Sequence, residues 1–177
     1  VYGPSIVIGA NATIDQTGVV LGTGANGGRH GVSVGNYAMS GWDSTAIGEG
    51  AVAGGMFGAT AIGRSANAQG NGVALGTGSA AGDGQVSVGN STTKRRVSNV
   101  AFATAANDAV IHQQVVPALS GLVTGLGGGA TYNPATGALT APSYALNVGT
   151  FTNVGQALAA LDTAIANGGG GGPVSGD

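Results

Sequence analysis

The sequence predicts a mostly β protein: a parallel β-solenoid that hands over near residue 85 to a tail of helices and short strands. Three observations predict it. A glycine preceded by Ile, Leu or Val recurs at a near-constant interval. Every such glycine is flanked by two short segments, one alternating and apolar, the other of small residues. Charge nearly vanishes along this repeat, until three of the chain's five basic residues, Lys94, Arg95 and Arg96, stand side by side.

The composition supports a repeat fold over a conventional core. Of 177 residues 37 are glycine, charged residues are 7 % and aromatics 5 %. An ordinary globular domain carries about 25 % charge and about 7 % glycine. Few bulky side chains are left to fill a deep interior, yet 42 % apolar content is too high for ordinary disorder. Regular repeats of small residues resolve the conflict. A net charge of −2 argues against a nucleic-acid surface. The absence of cysteine excludes thiol catalysis, disulfides and thiolate metal sites. No run reaches the roughly 18 apolar residues of a membrane span, so no direct membrane insertion is expected. No signal peptide is visible at Val1, the sequence opens in mid-repeat, and it ends in a glycine-rich run from Gly168. A piece of a longer protein is the expectation.

The anchoring glycines are Gly9, Gly22, Gly35, Gly48, Gly63, Gly76 and Gly89, at spacings of 13, 13, 13, 15, 13 and 13. Strand side chains alternate, so residues three and one before each glycine share a face. These are Ile6/Ile8, Val19/Leu21, Val32/Val34, Thr45/Ile47, Thr60/Ile62, Val73/Leu75 and Val86/Val88. Their apolar character marks this face, with Ile8, Leu21, Val34, Ile47, Ile62, Leu75 and Val88 nearest the glycines, as the buried one. Positions three and five after the glycines from Gly22 to Gly76 are small, such as Ala51/Ala53 and Ala66/Ala68, which lets another backbone come close; after Gly9 they are Ala12/Ile14. Two strands and two turns per rung make a coiled solenoid. Fully burying a Val, Leu or Ile gives about 1.5–3 kcal/mol, whereas ordering one residue's backbone costs about 1–2 kcal/mol. A single thin roll is hard to stabilise alone. Burying the apolar stripe against other copies makes a homo-oligomer the physical expectation.

The motifs carry a family resemblance. Ser44-Thr-Ala-Ile-Gly48 and Gly58-Ala-Thr-Ala-Ile-Gly63 resemble the YadA-like head repeats of trimeric autotransporter adhesins. Ser87-Val-Gly-Asn90, followed by Lys94-Arg-Arg-Val-Ser-Asn-Val-Ala101, is similar to that family's neck, and Asp108-Ala-Val110 to the triplet that leads into its helix. The resemblance covers about residues 1–126. It implies a left-handed parallel β-roll in each chain of a homotrimer, and a neck that narrows the trimer onto a slender coiled coil. In that neck Lys94, Arg95, Arg96, Asn99 and Asp108 would hold chains together. The basic triplet would make interchain ion pairs, with Asp83 and Asp108 as the favoured carboxylates; the fork of donors on Arg suits the role.

Beyond the neck, Asn107 or Asp108 is the expected N-cap of a helix. Ile111, Val115, Leu119, Leu122 and Leu126 follow at spacings of 4, 4, 3 and 4, close to a coiled-coil seam. Pro117 should kink or restart this helix. His112 is either a surface residue or a buried polar layer fixing register. Gly127-Gly-Gly129 ends the helix, and residues 130–146 read as a hairpin or meander with turn signals at Asn133-Pro134 and Thr136-Gly137. Thr152-Asn153 caps a second helix, with Val154, Leu158, Leu161 and Ile165 on one stripe and Asn167-Gly168 at its end. This module resembles the small interleaved β-plus-helix units of the same adhesins. The expected divisions are thus a head at 1–84, a neck at 85–108, a short helix at 109–126, a β-meander plus helix at 127–167 and a linker at 168–177.

No catalytic, cofactor or metal site is expected. His30 and His112 lie in different modules, and neither has a repeated carboxylate partner. The seven acids are scattered. Gly22-Thr-Gly24 and Gly76-Thr-Gly78 lack the Lys-Ser/Thr of a phosphate loop and are turns. Calcium-binding rolls need a Gly-Gly-x-Gly-x-Asp array that is missing. Hexapeptide acyltransferases have a period of six, and ice-binding solenoids have an aligned Thr-x-Thr ladder; the sequence has neither.

One column does not repeat. Six residues before the glycines stand Gly3, Gln16, Arg29, Trp42, Phe57, Gly70 and Asp83. Trp42 and Phe57 fall on adjacent rungs, about 4.8 Å apart, with Tyr37 and Met56 near in sequence. The two-residue insertion that makes the one 15-residue spacing puts Met56-Phe57 on a bulged loop. Tyr37, Trp42, Met56 and Phe57 therefore form either a ligand patch, since aromatics are favoured in hot spots, or a stack that closes the roll against another chain. The resemblance implies a virulence-associated bacterial surface adhesin that meets host cell-surface or extracellular-matrix ligands and is anchored in the outer membrane elsewhere. A structural spacer and a β-helix enzyme are the alternatives.

Overall fold

The structure, a computed structural model, describes residues 3–168. The expected linker therefore lies, from residue 169 on, outside the described residues. The chain divides into two compact units, Val1–Val97 and Ser98–Asp177.

The first unit is a two-sheet parallel solenoid. Its strands in order are β1 (Ser5–Ile8), β2 (Thr13–Ile14), β3 (Gly18–Leu21), β4 (Asn26–Gly27), β5 (Gly31–Val34), β6 (Met39–Ser40), β7 (Thr45–Ile47), β8 (Val52–Gly54), β9 (Thr60–Ile62), β10 (Asn67–Gln69), β11 (Val73–Leu75), β12 (Ala80–Ala81) and β13 (Val86–Ser87). Odd-numbered strands form one sheet and even-numbered strands the other, each in chain order and each pairing parallel. One rung therefore contributes one strand to each sheet, as the repeat predicts.

The interior is set by the small residues. Val20, Ser33, Ala46, Ala61 and Ala74 stack one above another in strand register, and all are fully buried. Facing them are Ala53, Ala68 and Ala81, with Ala25, Ala38, Ala51, Ala66 and Ser79 from the turns. Val20 fits because Gly27 faces it: a Cβ there would come within 2.7 Å of Val20 Cγ2. The buried Ser33 hydroxyl bonds to the Asn26 carbonyl at 2.6 Å and accepts from the Ser40 N–H at 3.0 Å. It thus leaves no unpaired polar group inside.

This register corrects the reading of the apolar face. Within the chain that face is the outer surface of the odd-strand sheet. Ile8, Ile47, Ile62 and Leu75 are exposed, and Leu21, Val34 and Val88 are half-buried. Alternation puts the intervening residue inside, and the closely spaced sheets leave room there for little more than Ala or Ser. The result is a continuous external ladder of Val, Ile and Leu over an alanine core.

The glycine anchors follow from close stacking. At Gly48 φ is +130°, and a Cβ would lie 2.6 Å from the Gly63 carbonyl group. Only glycine satisfies both conditions. The insertion is absorbed at residues 55–58 without loss of register, since Ile47 still pairs with Ile62.

The second unit begins with a loop and contains α1 (His112–Leu126), β14 (Thr131–Asn133), β15 (Ala138–Thr140), β16 (Tyr144–Leu146), β17 (Gly149–Phe151) and α2 (Val154–Ala166). The strands form two antiparallel hairpins, β14–β15 and β16–β17. In the first turn the Asn133 carboxamide oxygen accepts from the Ala135 N–H at 2.9 Å, an Asx turn of the kind Asn-Pro favours. Asn153 caps α2, accepting from the Gln156 N–H at 2.8 Å.

One expectation for α1 does not hold. The N-cap is Ile111, without a side-chain cap, and neither Asn107 nor Asp108 fills that position. Asp108 is drawn upstream instead, accepting from the Thr104 and Ala105 N–H groups at 2.9 Å each. Pro117 neither ends nor restarts α1, which runs through it as one element. His112 is exposed, with Nε2 3.0 Å from the Pro134 carbonyl oxygen. No described helix is long and apolar enough to cross a membrane.

Candidate functional site

The two turns of each rung lie on opposite edges of the roll, because each joins one sheet to the other in the opposite sense. At the edge where even strands lead back to odd ones, Arg29, Trp42 and Phe57 occupy the same place on three successive rungs. The Trp42 and Phe57 rings meet edge to face, with centroids 6.4 Å apart and planes at 73°, the arrangement their quadrupoles favour. The Arg29 guanidinium carbon stands 5.2 Å from the Trp42 centroid, a cation–π contact. One chain thus builds a column of cation, indole and phenyl.

Asp43 ties the column to the neighbouring rung. Its Oδ1 is 2.9 Å from His30 Nδ1, and its Oδ2 is 3.9 Å from an Arg29 terminal nitrogen. His30 and Asp43 both have left-handed backbone, φ +55° and +52°, so matching turn geometry brings their side chains together one rung apart. Arg29 is poorly satisfied. Its Nε is shielded from solvent without a partner, and Asp43 lies beyond hydrogen-bonding distance.

Trp42, Phe57 and Met56 remain 41, 54 and 66 % exposed, with Met56 on the inserted loop. Tyr37 does not join them. It sits in the glycine turn on the other edge, where its ring lies against Gly24; closeness in sequence misled because five residues carry the chain across the second sheet. Sequence reasoning also missed Arg29, His30 and Asp43 as a group. The signal was present: His30 and Asp43 are 13 residues apart, one repeat.

The neck residues follow a different pattern. Arg95 donates to the Val88 carbonyl at 2.6 Å, the Thr77 carbonyl at 2.7 Å and the Ser79 hydroxyl at 3.1 Å. Lys94 donates to the Asn90 carbonyl at 2.8 Å. Arg95 therefore pins the end of the last rung, and its fork is spent within the chain. The favoured carboxylates are also occupied: Asp83 accepts from the Asn71 N–H at 2.8 Å, and Asp108 is held by its own loop. Hydrogen bonds from Ala105 first and Thr104 second keep the Asp108 carboxyl below its ordinary 3.8. Arg96 and Asn99 are exposed, Asn99 with φ +60°. Among the described residues no group of three or more His, Cys, Asp or Glu side chains could hold a metal ion.

No family model matches the chain. A stretch of 91 residues is 41 % identical to the trimeric autotransporter adhesin AtaA of Acinetobacter sp. strain Tol 5. The chain resembles a trimeric autotransporter adhesin. That stretch is 46 % of this chain and 2 % of the length of AtaA. Among solved structures, the collagen-binding domain of the Yersinia adhesin YadA aligns with a TM-score of 0.61 at 23 % identity, over 67 % of this chain and 68 % of that one. The chain therefore shares the fold of that domain. A C-terminal stalk of AtaA carrying fused adaptors aligns over 45 % of this chain and 24 % of that one, at 37 % identity and a TM-score of 0.42, a score that carries no argument about fold.

Proposed function

We propose that this chain forms the head, neck and first stalk module of a homotrimeric bacterial surface adhesin, attaching to host cells or extracellular matrix and involved in virulence. The observation that carries the reading is the outward ladder of Val, Ile and Leu above an alanine core. A monomer leaves its largest apolar side chains in water. Three ladders facing a common axis cover them, and the similarity to a trimeric adhesin supports that number. The proposed divisions are a head at 1–84, a neck at 85–108, a short coiled-coil helix at 109–126 and an interleaved β-plus-helix module at 127–167. Attachment then works by multivalency: three weak sites per molecule, and many molecules per cell, act together. The reading assigns no catalysis or cofactor, and it places the protein at the cell surface, held by an outer-membrane anchor.

Light scattering on the purified chain is expected to give three times the chain mass of 16.6 kDa; a stable monomer overturns the proposal. The verified trimer is then expected to bind epithelial cells or immobilised matrix proteins, with collagen tested first because the YadA domain binds it. A trimer that binds none of these is a spacer for another binding segment.

A further inference from the structure

We infer that the Arg29–Trp42–Phe57 edge is a binding site for acidic saccharides, glycans that carry a carboxylate or sulfate on a pyranose ring. The inference rests on the attachment reading and names the ligand class of that surface. Three observations carry it together.

The first is the unused guanidinium. Arg95 shows how this fold employs a structural arginine, with terminal nitrogens on three acceptors at 2.6–3.1 Å. The Arg29 guanidinium donates no hydrogen bond among the described residues. Its Nε is buried and unpartnered, and its carboxylate neighbour stands off at 3.9 Å. An unpaired fork next to solvent matches the planar oxygens of a carboxylate or sulfate, which it takes in bidentate fashion. Asp43 leaves the donors of the fork free, because its Oδ2 stands beyond hydrogen-bonding reach and its shorter contact, 2.9 Å, is with His30.

The second is the aromatic surface beside that fork. Trp42 and Phe57 are held edge to face, so both are fixed before any ligand arrives and little side-chain entropy is lost on binding. Their free edges, with Met56, make an apolar ledge two rungs long. The C–H face of a pyranose packs on such a surface while its acidic group reaches the cation.

The third is that the arrangement is local. In the same column Gly3, Gln16, Gly70 and Asp83 flank the three residues, and the two-residue insertion falls at the same place. Side chains needed for stacking rungs recur at every rung; these occur once. An apolar ligand would have no use for the guanidinium, a cationic one would be repelled by it, and an acidic one uses its charge as well as its donors.

The test is calorimetric titration of the verified trimer with hyaluronan oligosaccharides, heparin and sialyllactose, with a neutral maltooligosaccharide as control. At least one acidic glycan is expected to bind, the neutral one not. Arg29→Gln and Trp42→Ala should each weaken binding by about tenfold or more, while Arg64→Gln, which removes an exposed head charge elsewhere, should not. Melting of each variant trimer separates lost binding from lost assembly, and Arg29→Lys, which keeps charge but loses the fork, covers failure of Arg29→Gln to assemble. Three outcomes each overturn the inference: no acidic glycan binds, the neutral glycan binds equally, or Arg64→Gln costs as much as Arg29→Gln. Cell or matrix attachment by a trimer that ignores every glycan sinks this inference alone and leaves the adhesin reading standing.

Discussion

Ala61 has no exposed surface, with Ala46 below it and Ala74 above. A larger side chain there must push the sheets apart, and overpacking typically costs about 1–3 kcal/mol. Ala61→Leu is therefore expected to lower the melting midpoint, whereas the same exchange at the exposed Ala80 should have little effect; equal behaviour would contradict the alanine core. Asp108 makes a prediction about pH. Its carboxyl is held below the ordinary 3.8, by the Ala105 N–H first and the Thr104 N–H second. A depressed carboxyl stabilises the fold above its unfolded value and loses that contribution as pH falls through the folded one. The 104–108 loop should therefore keep its structure down to pH 3.8 and loosen below it. Carboxyl NMR is expected to show Asp108 titrating below its ordinary 3.8, and a midpoint at or above 3.8 would contradict the loop geometry.

At the scale of elements, the solenoid strands are only two to four residues long. None would persist alone; all but the end strands β1, β2, β12 and β13 are held by parallel neighbours on both sides, and glycine turns allow close stacking. The helix α1 is a different case. It carries Pro117 in its interior, where Pro is about 3 kcal/mol worse than Ala, and it has no side-chain cap and no fully buried residue. Pro117→Ala should raise the helical signal in circular dichroism and the melting point of the second unit. No change would mean that contacts with other copies already hold the helix around Pro117.

At the scale of the whole molecule, the solenoid leaves large apolar side chains uncovered. Its external ladder exposes Ile47, Ile62 and Leu75 at 38–40 %, in strand register and on one face. Covering the exposed two-fifths of each such side chain contributes roughly 0.6–1.2 kcal/mol per chain, so removing one should be felt three times in a trimer. Ile62→Asn is expected to shift the mass in light scattering from trimer toward monomer at low concentration. The same exchange at Val52, on the even-strand sheet, should not. A trimer indifferent to Ile62→Asn would move the interface off the ladder and overturn the proposed assembly.

Much of the fold was legible in the sequence because a solenoid is nearly one-dimensional. The spacing of Gly9 through Gly89 fixed the rungs, alternation fixed which residues share a face, and Asn153 marked the start of α2. What spacing could not say was which of the two faces points inward. Ile62 and Ala61 are neighbours with opposite fates, and only the separation of the two sheets, narrow enough for a methyl group, sends the isoleucine outward. Nor could it say where Asp108 would spend its oxygens, since the loop before it and the helix after it both offer N–H groups. The edge site shows the same division. Repeat arithmetic placed Arg29, Trp42 and Phe57 in one column, but the cation over the indole, the loose Asp43 and the exclusion of Tyr37 arise from how turns pass from one sheet to the other. The sequence by itself determined the period, the register and the order of solenoid before helices, because those depend on neighbours along the chain. The tertiary structure decided inside from outside and which polar groups remain unpaired, because those depend on the distance between layers that the chain reaches only after it has coiled.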